Sequence, residues 1–525
     1  MKNLKKILAL ALSLLMVLPI LAGCSAKNTP RADEPLGKDL TNEQKFAEHV
    51  TLTWCFPDAR GAGDFTEWDR IVAAINEITE REINATINIE VIPLGEYTEK
   101  MSLKYAANER WDVAFCGTQW NPYSNAVSQK VLEPLTKEYL ETYMPETMDT
   151  MNAKYFDALT IGGGLYGIPL QQIYVRQNGI RFEVDWFEEL NVDWETIEAT
   201  IDPNTPLESL EVFFEYLLMN NYNECFFGAD DKLMENTSSF MGFDNLISTN
   251  FPGAIRVSDG TCTVINQYET EEFKYIASLM KKWHDAGYFS DAALNGGQAN
   301  SYYELEYGES RHPVSLEPVV KPGGDAMASM KAQYGITIKT IPIGNAVLTT
   351  SSVAQTAMVV SRNAEYPGRA LAFIELLNTN EELLNLICYG QEGVDWTWED
   401  EENKVMNLDD SAYPGNEPFF VGNTFLSYYV DDSMIGCWEE TKQINENAEL
   451  SPLYGFTFDA SSVRSQMAAI NANLDAHLEP VLCGMGNGTV DDAIAELNQY
   501  LYDNGLQVIL DEMQRQVNEW LASKQ

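Results

Sequence analysis

The sequence is poor in positive charge. Its 34 lysines and arginines face 79 aspartates and glutamates, for a formal net charge of -45 at pH 7. That balance argues against nucleic acid or an anionic membrane surface as a partner, because phosphate recognition needs a basic patch. Histidine is scarcer still. His49, His284, His312 and His477 stand far apart. None has the HxH or HxxxH spacing that would place two imidazoles on one metal ion. The eight cysteines include no CxxC pair, and the seven beyond Cys24 are odd in number, so at least one thiol is unpaired. Cys55 and Cys116 lie in apolar, strand-like runs, where a small buried hydrophobe is the expected role. No GxSxG or HExxH motif occurs, and Gly162-Gly163-Gly164 lacks the GK(S/T) that completes a phosphate loop. The acidic run Glu399-Asp400-Glu401-Glu402 lacks the spaced oxygen ligands and central glycine of a calcium loop, and reads as a solvated turn. No cofactor or metal is implied.

Long apolar runs are also missing. The charge-free stretch from Ile7 to Leu21 falls short of the roughly 20 residues of a membrane-spanning helix. It follows Lys2, Lys5 and Lys6 and leads into Leu21-Ala22-Gly23-Cys24. A basic start, a short apolar segment and small residues before a cut site define a secretory signal, here residues 1–23. Residues 24–48 contain Pro30, Pro35 and Gly37 and no apolar period, so they read as a flexible tether. The remainder is long enough for two or more domains. Its 11 tryptophans and 25 tyrosines supply flat amphipathic faces as well as core.

The body opens with alternating strand and helix signals. Leu52–Phe56, Thr86–Ile92 and Asp112–Cys116 are short strand patterns, each stopped by proline or glycine, with helical spacing between them over 65–82 and 97–107. A β-α-β-α-β order implies a parallel sheet with right-handed crossovers. Ligands of such sheets sit beyond the carboxyl ends of the strands, here near Phe56–Ala59, Pro93 and Gly117–Trp120. From Arg181 to about Gly287 the signals are mostly helical. Extended patterns return at 312–320, 335–343 and 356–361, and a strong helix covers 366–379.

Several segments taken in order resemble the extracellular solute-binding lipoproteins of bacterial ABC importers, of the carbohydrate-associated type. Leu21-Ala22-Gly23-Cys24 resembles a lipobox, which implies that the Cys24 thiol carries a diacylglycerol. Trp111-Asp112-Val113-Ala114-Phe115 with Leu132-Glu133-Pro134-Leu135, Tyr166-Gly167-Ile168-Pro169, Tyr366-Pro367 through Leu377, and Tyr389-Gly390-Gln391-Glu392-Gly393 are similar to that family's motifs. Gly422-Asn423-Thr424-Phe425-Leu426, Tyr454-Gly455-Phe456-Thr457-Phe458-Asp459 and the Gln514–Trp520 ending resemble a subgroup whose C-terminal region is a domain of unknown function. The resemblance implies an α/β, two-lobed, periplasmic-binding-protein-like fold of type II, with parallel-sheet lobes joined by hinge strands. The expected division is a first lobe at 49–170, a second, more helical lobe at 171–311, a return to the first lobe at 312–380, and helices and a hairpin at 381–525 completing lobes and hinge. The implied partners are an oligosaccharide or other small solute, the permease subunits of an importer, and the membrane through the lipid. The implied protein is a monomer without enzymatic activity on the outer face of the cell membrane.

A sugar presents apolar C–H faces and a rim of hydroxyls, which call for aromatic rings and for Asp, Glu, Asn, Gln and Arg. Strand ends and crossover loops therefore offer Asp58, Arg60, Trp120, Asn121, Tyr123, Tyr174, Arg176, Glu317, Trp396 and Trp398 as candidate ligand contacts. Each has a structural alternative: core packing for the aromatics, a salt bridge for Arg176, a solvated loop for Asp58 and Arg60, a hairpin strand for Trp396 and Trp398. Two other functions stay open. An exported glycoside hydrolase or lyase would need two carboxylates flanking the bond, which an acidic chain does not exclude. A sensory or adhesive binding protein would use the same fold.

Overall fold

A computed structural model describes residues 31–222, 224–296, 313–331, 337–408 and 411–524. The signal peptide, the lipidation candidate Cys24 and His312 lie outside the described residues. Ten strands form the two main sheets: β1 Val50–Asp58, β2 Ala85–Pro93, β3 Val113–Gly117, β4 Gly167–Pro169, β5 Arg176–Glu183, β6 Phe226–Phe227, β7 Val314–Glu317, β8 Ile338–Leu348, β9 Thr356–Val360 and β10 Glu449–Leu450.

The first sheet runs β2-β1-β3-β9-β4. β1 lies parallel to β2 from Val50↔Ala85 to Asp58↔Pro93 and parallel to β3, while β9 runs antiparallel to β3 and β4. The helix Trp68–Ile83 makes the first crossover. It buries Ile71, Ile75, Ile78 and Ile83 against the sheet, the stripe expected of an amphipathic helix. It stops at Asn84, which takes the left-handed conformation at φ 49° that short polar side chains tolerate at helix ends. Every residue of β3 is buried, as in a strand covered on both faces. Trp54, Phe56, Phe115 and Phe373 are fully buried in this core, and the Trp54 and Phe373 rings meet edge to face at 5.3 Å.

The second sheet runs β10-β8-β5-β7-β6. It is mixed, not parallel: β5 is antiparallel to both β7 and β8, whereas β6 with β7 and β8 with β10 are parallel. The reason is topological. β5 starts at a crossover between lobes and β8 ends at one, so the two must run in opposite directions. The return to the first lobe, expected at 312, comes at about 349. β7 and β8 pair within the second sheet, because an extended pattern in sequence does not say which sheet receives it. The C-terminal portion divides as well. Phe420 and Cys437 are in the first-lobe core, and Leu453 to Val517 contribute to the second.

Among the described residues, three segments pass between the lobes: 170–175, 349–355, and β10 with its neighbours Ala448 and Leu453. Hinges of this kind are short strand ends that absorb backbone rotation when two lobes close.

Residues 31–48 are not a free tether. Arg31 pairs with Glu133. The Glu34 carboxylate accepts from the Gly368 and Arg369 amides at 2.7 and 2.9 Å, at the start of the helix Pro367–Thr379. The Tyr143 hydroxyl donates to the Pro35 carbonyl at 2.7 Å, and the Gly37 amide donates to Thr142 at 3.0 Å. An unpaired helix start accepts a carboxylate readily, and that term was invisible in a stretch without apolar period.

Candidate functional site: the cleft between the lobes

β3 delivers the chain into the space between the lobes. Its last residue, Gly117, packs so close to the 349–355 crossover that a Cβ there would lie 2.3 Å from the Gln355 carbonyl oxygen. Thr118, Gln119 and Trp120 follow at the strand's carboxyl end. Two adjoining cavities open from this point. The narrow one, about 160 Å³, is lined by Thr118 and Gln119 of the first lobe, Arg176, Thr349 and Ser351 of the crossovers, and Glu235, Ser238, Ser239, Asp244 and Asn245 of the second lobe. The wide one, about 670 Å³, shares Thr118, Asp244, Asn245, Ile247 and Ser351 with it, so the two form one continuous cleft. It extends between the first-lobe helix Tyr123–Ser128 and the segment from Leu453 to Met467.

Polar groups from both lobes meet in the narrow part. Gln119 Nε2 donates to Glu235 Oε1 at 3.2 Å, and Arg176 Nη1 stands 3.9 Å from the same oxygen. Burial lowers the Arg176 pKa, and the Glu235 carboxylate opposes that shift. Asn178 fixes the backbone around Glu235. Its carboxamide oxygen accepts from the Ser239 hydroxyl at 2.7 Å and its nitrogen donates to the Glu235 carbonyl at 3.0 Å. Asp244 accepts from the Ser451 hydroxyl beside β10 at 2.5 Å, and burial pushes its carboxyl up to about 6. Asn245 Oδ1 accepts from Ser238 at 2.8 Å. Its Nδ2 is buried and has no partner among the described residues, an arrangement that costs free energy until an acceptor fills it. A hydroxyl-rich, uncharged ligand suits this set of donors and acceptors.

The sequence candidates divide. Arg176 lines the narrow cavity and Tyr123 the wide one. Tyr123 is buried, however, and its hydroxyl is committed, donating to the Leu159 carbonyl at 2.7 Å and accepting from the Tyr166 amide at 3.1 Å. Trp120 is half-buried beside Gln119 with its ring edge-on to Phe420 at 5.3 Å. Asn121 is a backbone device, in the left-handed region at φ 51° with its side chain bonded to Phe115 and Tyr105. Asp58 accepts from the amides of Arg60, Gly61, Ala62 and Gly63 and so shapes the loop after β1. Arg60 pairs with Glu417 at 2.8 Å. Tyr174 is buried against Tyr155. Glu317 pairs with Arg181 within the second sheet. Trp396 is buried and donates to the Gly390 carbonyl, and Trp398 packs edge-on against it. Trp398 lies in the hairpin strand Thr397–Asp400, and Trp396 immediately precedes it. Sequence reasoning missed Gln119, Glu235, Asp244 and Asn245. Gln119 was findable from the strand end it shares with Trp120. The other three sit in a stretch with no strand-end signal. All seven cysteines among the described residues are buried and unpaired, and no group of three or more His, Cys, Asp and Glu among those residues could hold a metal ion.

Two lobes, crossovers between them and a polar cleft at the strand ends define a two-lobed, type II periplasmic-binding-protein-like fold. Residues 452–522 match the family described as Domain of unknown function (DUF3502). A carbohydrate ABC transporter substrate-binding protein of Streptococcus pneumoniae serotype 4 (strain ATCC BAA-334 / TIGR4) is 26% identical over 468 residues, which is 87% of this chain and 89% of that protein. The crystal structure of the N-glycan transport solute binding protein NgtS from Streptococcus pneumoniae superposes with a TM-score of 0.78 at 23% identity, covering 91% of this chain and all of that one. The same protein in complex with Man1GlcNAc matches with a TM-score of 0.73 at 22% identity, covering 90% of this chain and all of that one. Its complex with Man5GlcNAc gives 0.69 at 23%, covering 91% and all. The resemblance read from the sequence therefore holds: over most of its length the chain is similar to a carbohydrate ABC transporter substrate-binding protein, it has the fold of a type II solute-binding protein, and residues 452–522 match the domain of unknown function.

Proposed function

We propose that the protein captures an oligosaccharide between its lobes and hands it unchanged to a membrane permease. The observation that carries this reading is the continuous cleft in which Gln119 of one lobe and Glu235 of the other converge with Arg176 of a crossover. Side-chain hydroxyls, carboxamides and carboxylates line it, and these match sugar hydroxyls in both donor and acceptor sense. Glu235, Gln119, Arg176 and Asn245 hold hydroxyls in this account. The N-glycan fragments bound by the pneumococcal relative are the first ligands to try. The protein acts as a monomer, tethered outside the cell by lipid on Cys24, and performs no chemistry. Two acyl chains on one residue anchor stably where one would not.

Calorimetric titration of residues 25–525 with Man1GlcNAc and Man5GlcNAc, followed by mass analysis of the sugar, tests the reading. Binding with the glycan recovered intact is expected. Consumption of the glycan contradicts it and favours an enzyme. For the anchor, Cys24→Ala in the full chain is expected to release the protein into the medium, and retention at the membrane contradicts lipidation there.

A further inference from the structure

The matched C-terminal domain, residues 452–522, does two separate things in the fold. Its later helices build the second-lobe core through Leu478, Leu497, Leu501 and Met513. Its first fifteen or so residues add Leu453, Phe456, Phe458 and Val463 to the same core and also form a wall of the cleft. Phe456, Thr457, Phe458, Ser461, Arg464 and Met467 line the wide part of the cleft, facing Ser124 and Asn125 on the exposed side of the first-lobe helix.

That segment is held firmly. Gln516 Oε1 accepts from the Asp459 amide at 2.9 Å, and Gln516 Nε2 donates to the Asp459 carbonyl at 2.8 Å. The Phe456 ring packs edge-on to Trp520 at 5.9 Å. The Gly455 amide donates to the Thr350 hydroxyl of a crossover at 2.8 Å. The wall therefore moves with the second lobe and keeps its shape as it does so. It combines hydroxyls, a guanidinium and apolar ring edges, the mixture that holds neutral sugars.

We infer that this domain of unknown function is the length-gauging wall of the cleft: it contacts the sugar units that lie beyond those held at Gln119 and Glu235. The inference rests on the oligosaccharide reading above. The wide cavity has roughly four times the volume of the narrow one. A disaccharide seated at Gln119 and Glu235 would leave most of it to water, and a branched or longer glycan would reach the wall.

Thr457→Arg, which fills the chamber, and Arg464→Ala, which removes an exposed donor, test this in residues 25–525, with unfolding midpoints checked first. Man1GlcNAc and Man5GlcNAc are the probes. Both variants are expected to weaken Man5GlcNAc about tenfold and Man1GlcNAc less than about twofold, since hydrogen bonds to a ligand act only where the ligand reaches. Unchanged or equal effects on the two glycans overturn the inference while leaving the receptor reading standing. Failure of the unaltered protein to bind either glycan overturns that reading, and the inference with it.

Discussion

Gln119 and Glu235 belong to different lobes and meet at 3.2 Å, carboxamide nitrogen to carboxylate oxygen, across the narrowest part of the cleft. The contact exists only while the lobes are close. It places two groups of complementary sense where a ligand hydroxyl can replace either of them. Glu235→Gln keeps the shape and removes the charge that also faces Arg176. It is expected to lower glycan affinity about tenfold, as charge-assisted hydrogen bonds exceed neutral ones by about that much. Gln119→Ala is expected to cost less, and calorimetry on both variants orders them.

Asp244 makes stability depend on pH. Burial raises its carboxyl from 3.8 to about 6, so the folded state binds this proton more tightly than the unfolded chain. The contribution is fully present below about pH 4 and is lost as pH rises to about 6. It is worth roughly 2–3 kcal/mol over that window by linkage. Asp244→Asn, which still accepts from Ser451, is expected to flatten this part of the profile. Denaturant midpoints at pH 4.5 and 7 for the two proteins check it.

The clasp of residues 31–48 on the first lobe is expected to matter for stability and not for binding. Glu34→Ala removes the acceptor for two amides at the start of Pro367–Thr379. A loss of about 1 kcal/mol, typical of a helix cap, is expected. Hydrogen exchange should accelerate through 31–48 while glycan affinity stays unchanged.

Trp120 and Trp396 are expected to separate affinity from stability. Trp396→Ala empties a buried site and should cost about 3–5 kcal/mol. Trp120→Ala, at a half-buried ring next in sequence to Gln119, should lower glycan affinity with a smaller change in the unfolding midpoint. Thermal unfolding and titration of both variants give the comparison.

The first lobe was legible because its local signals agree with its tertiary structure. The strand Ala85–Pro93 ends at a proline and Val113–Gly117 at a glycine, Val50–Asp58 runs one residue past Pro57, and the isoleucines of 71–83 keep a helical period. The second lobe was harder to read. Val314–Glu317 and Ile338–Leu348 look extended, yet nothing local tells a strand to join Arg176–Glu183 instead of returning to the first sheet. Site residues failed for a related reason. Asn121, Tyr123 and Trp396 have the chemistry of sugar contacts, but their side chains are spent on backbone carbonyls. The direction a side chain takes from a loop depends on distant neighbours. Glu235 and Asp244 entered the cleft through folding of a region whose sequence signals are mostly helical, although Asp244 lies on the short strand Phe243–Asn245.

Closure on a sugar is the central claim, and the distance between lobes tests it most directly. Cysteines introduced at Ser124 and Ser461, both exposed and on opposite walls of the cleft, accept a donor and acceptor dye. The seven cysteines already in residues 25–525 are buried and unpaired, and burial pushes thiols such as Cys55 and Cys116 up to about 12, which keeps them unreactive. Single-molecule energy transfer is expected to shift toward the shorter distance as Man5GlcNAc is added, with the glycan recovered intact. A distribution unchanged at saturating glycan would contradict a receptor that closes around its ligand.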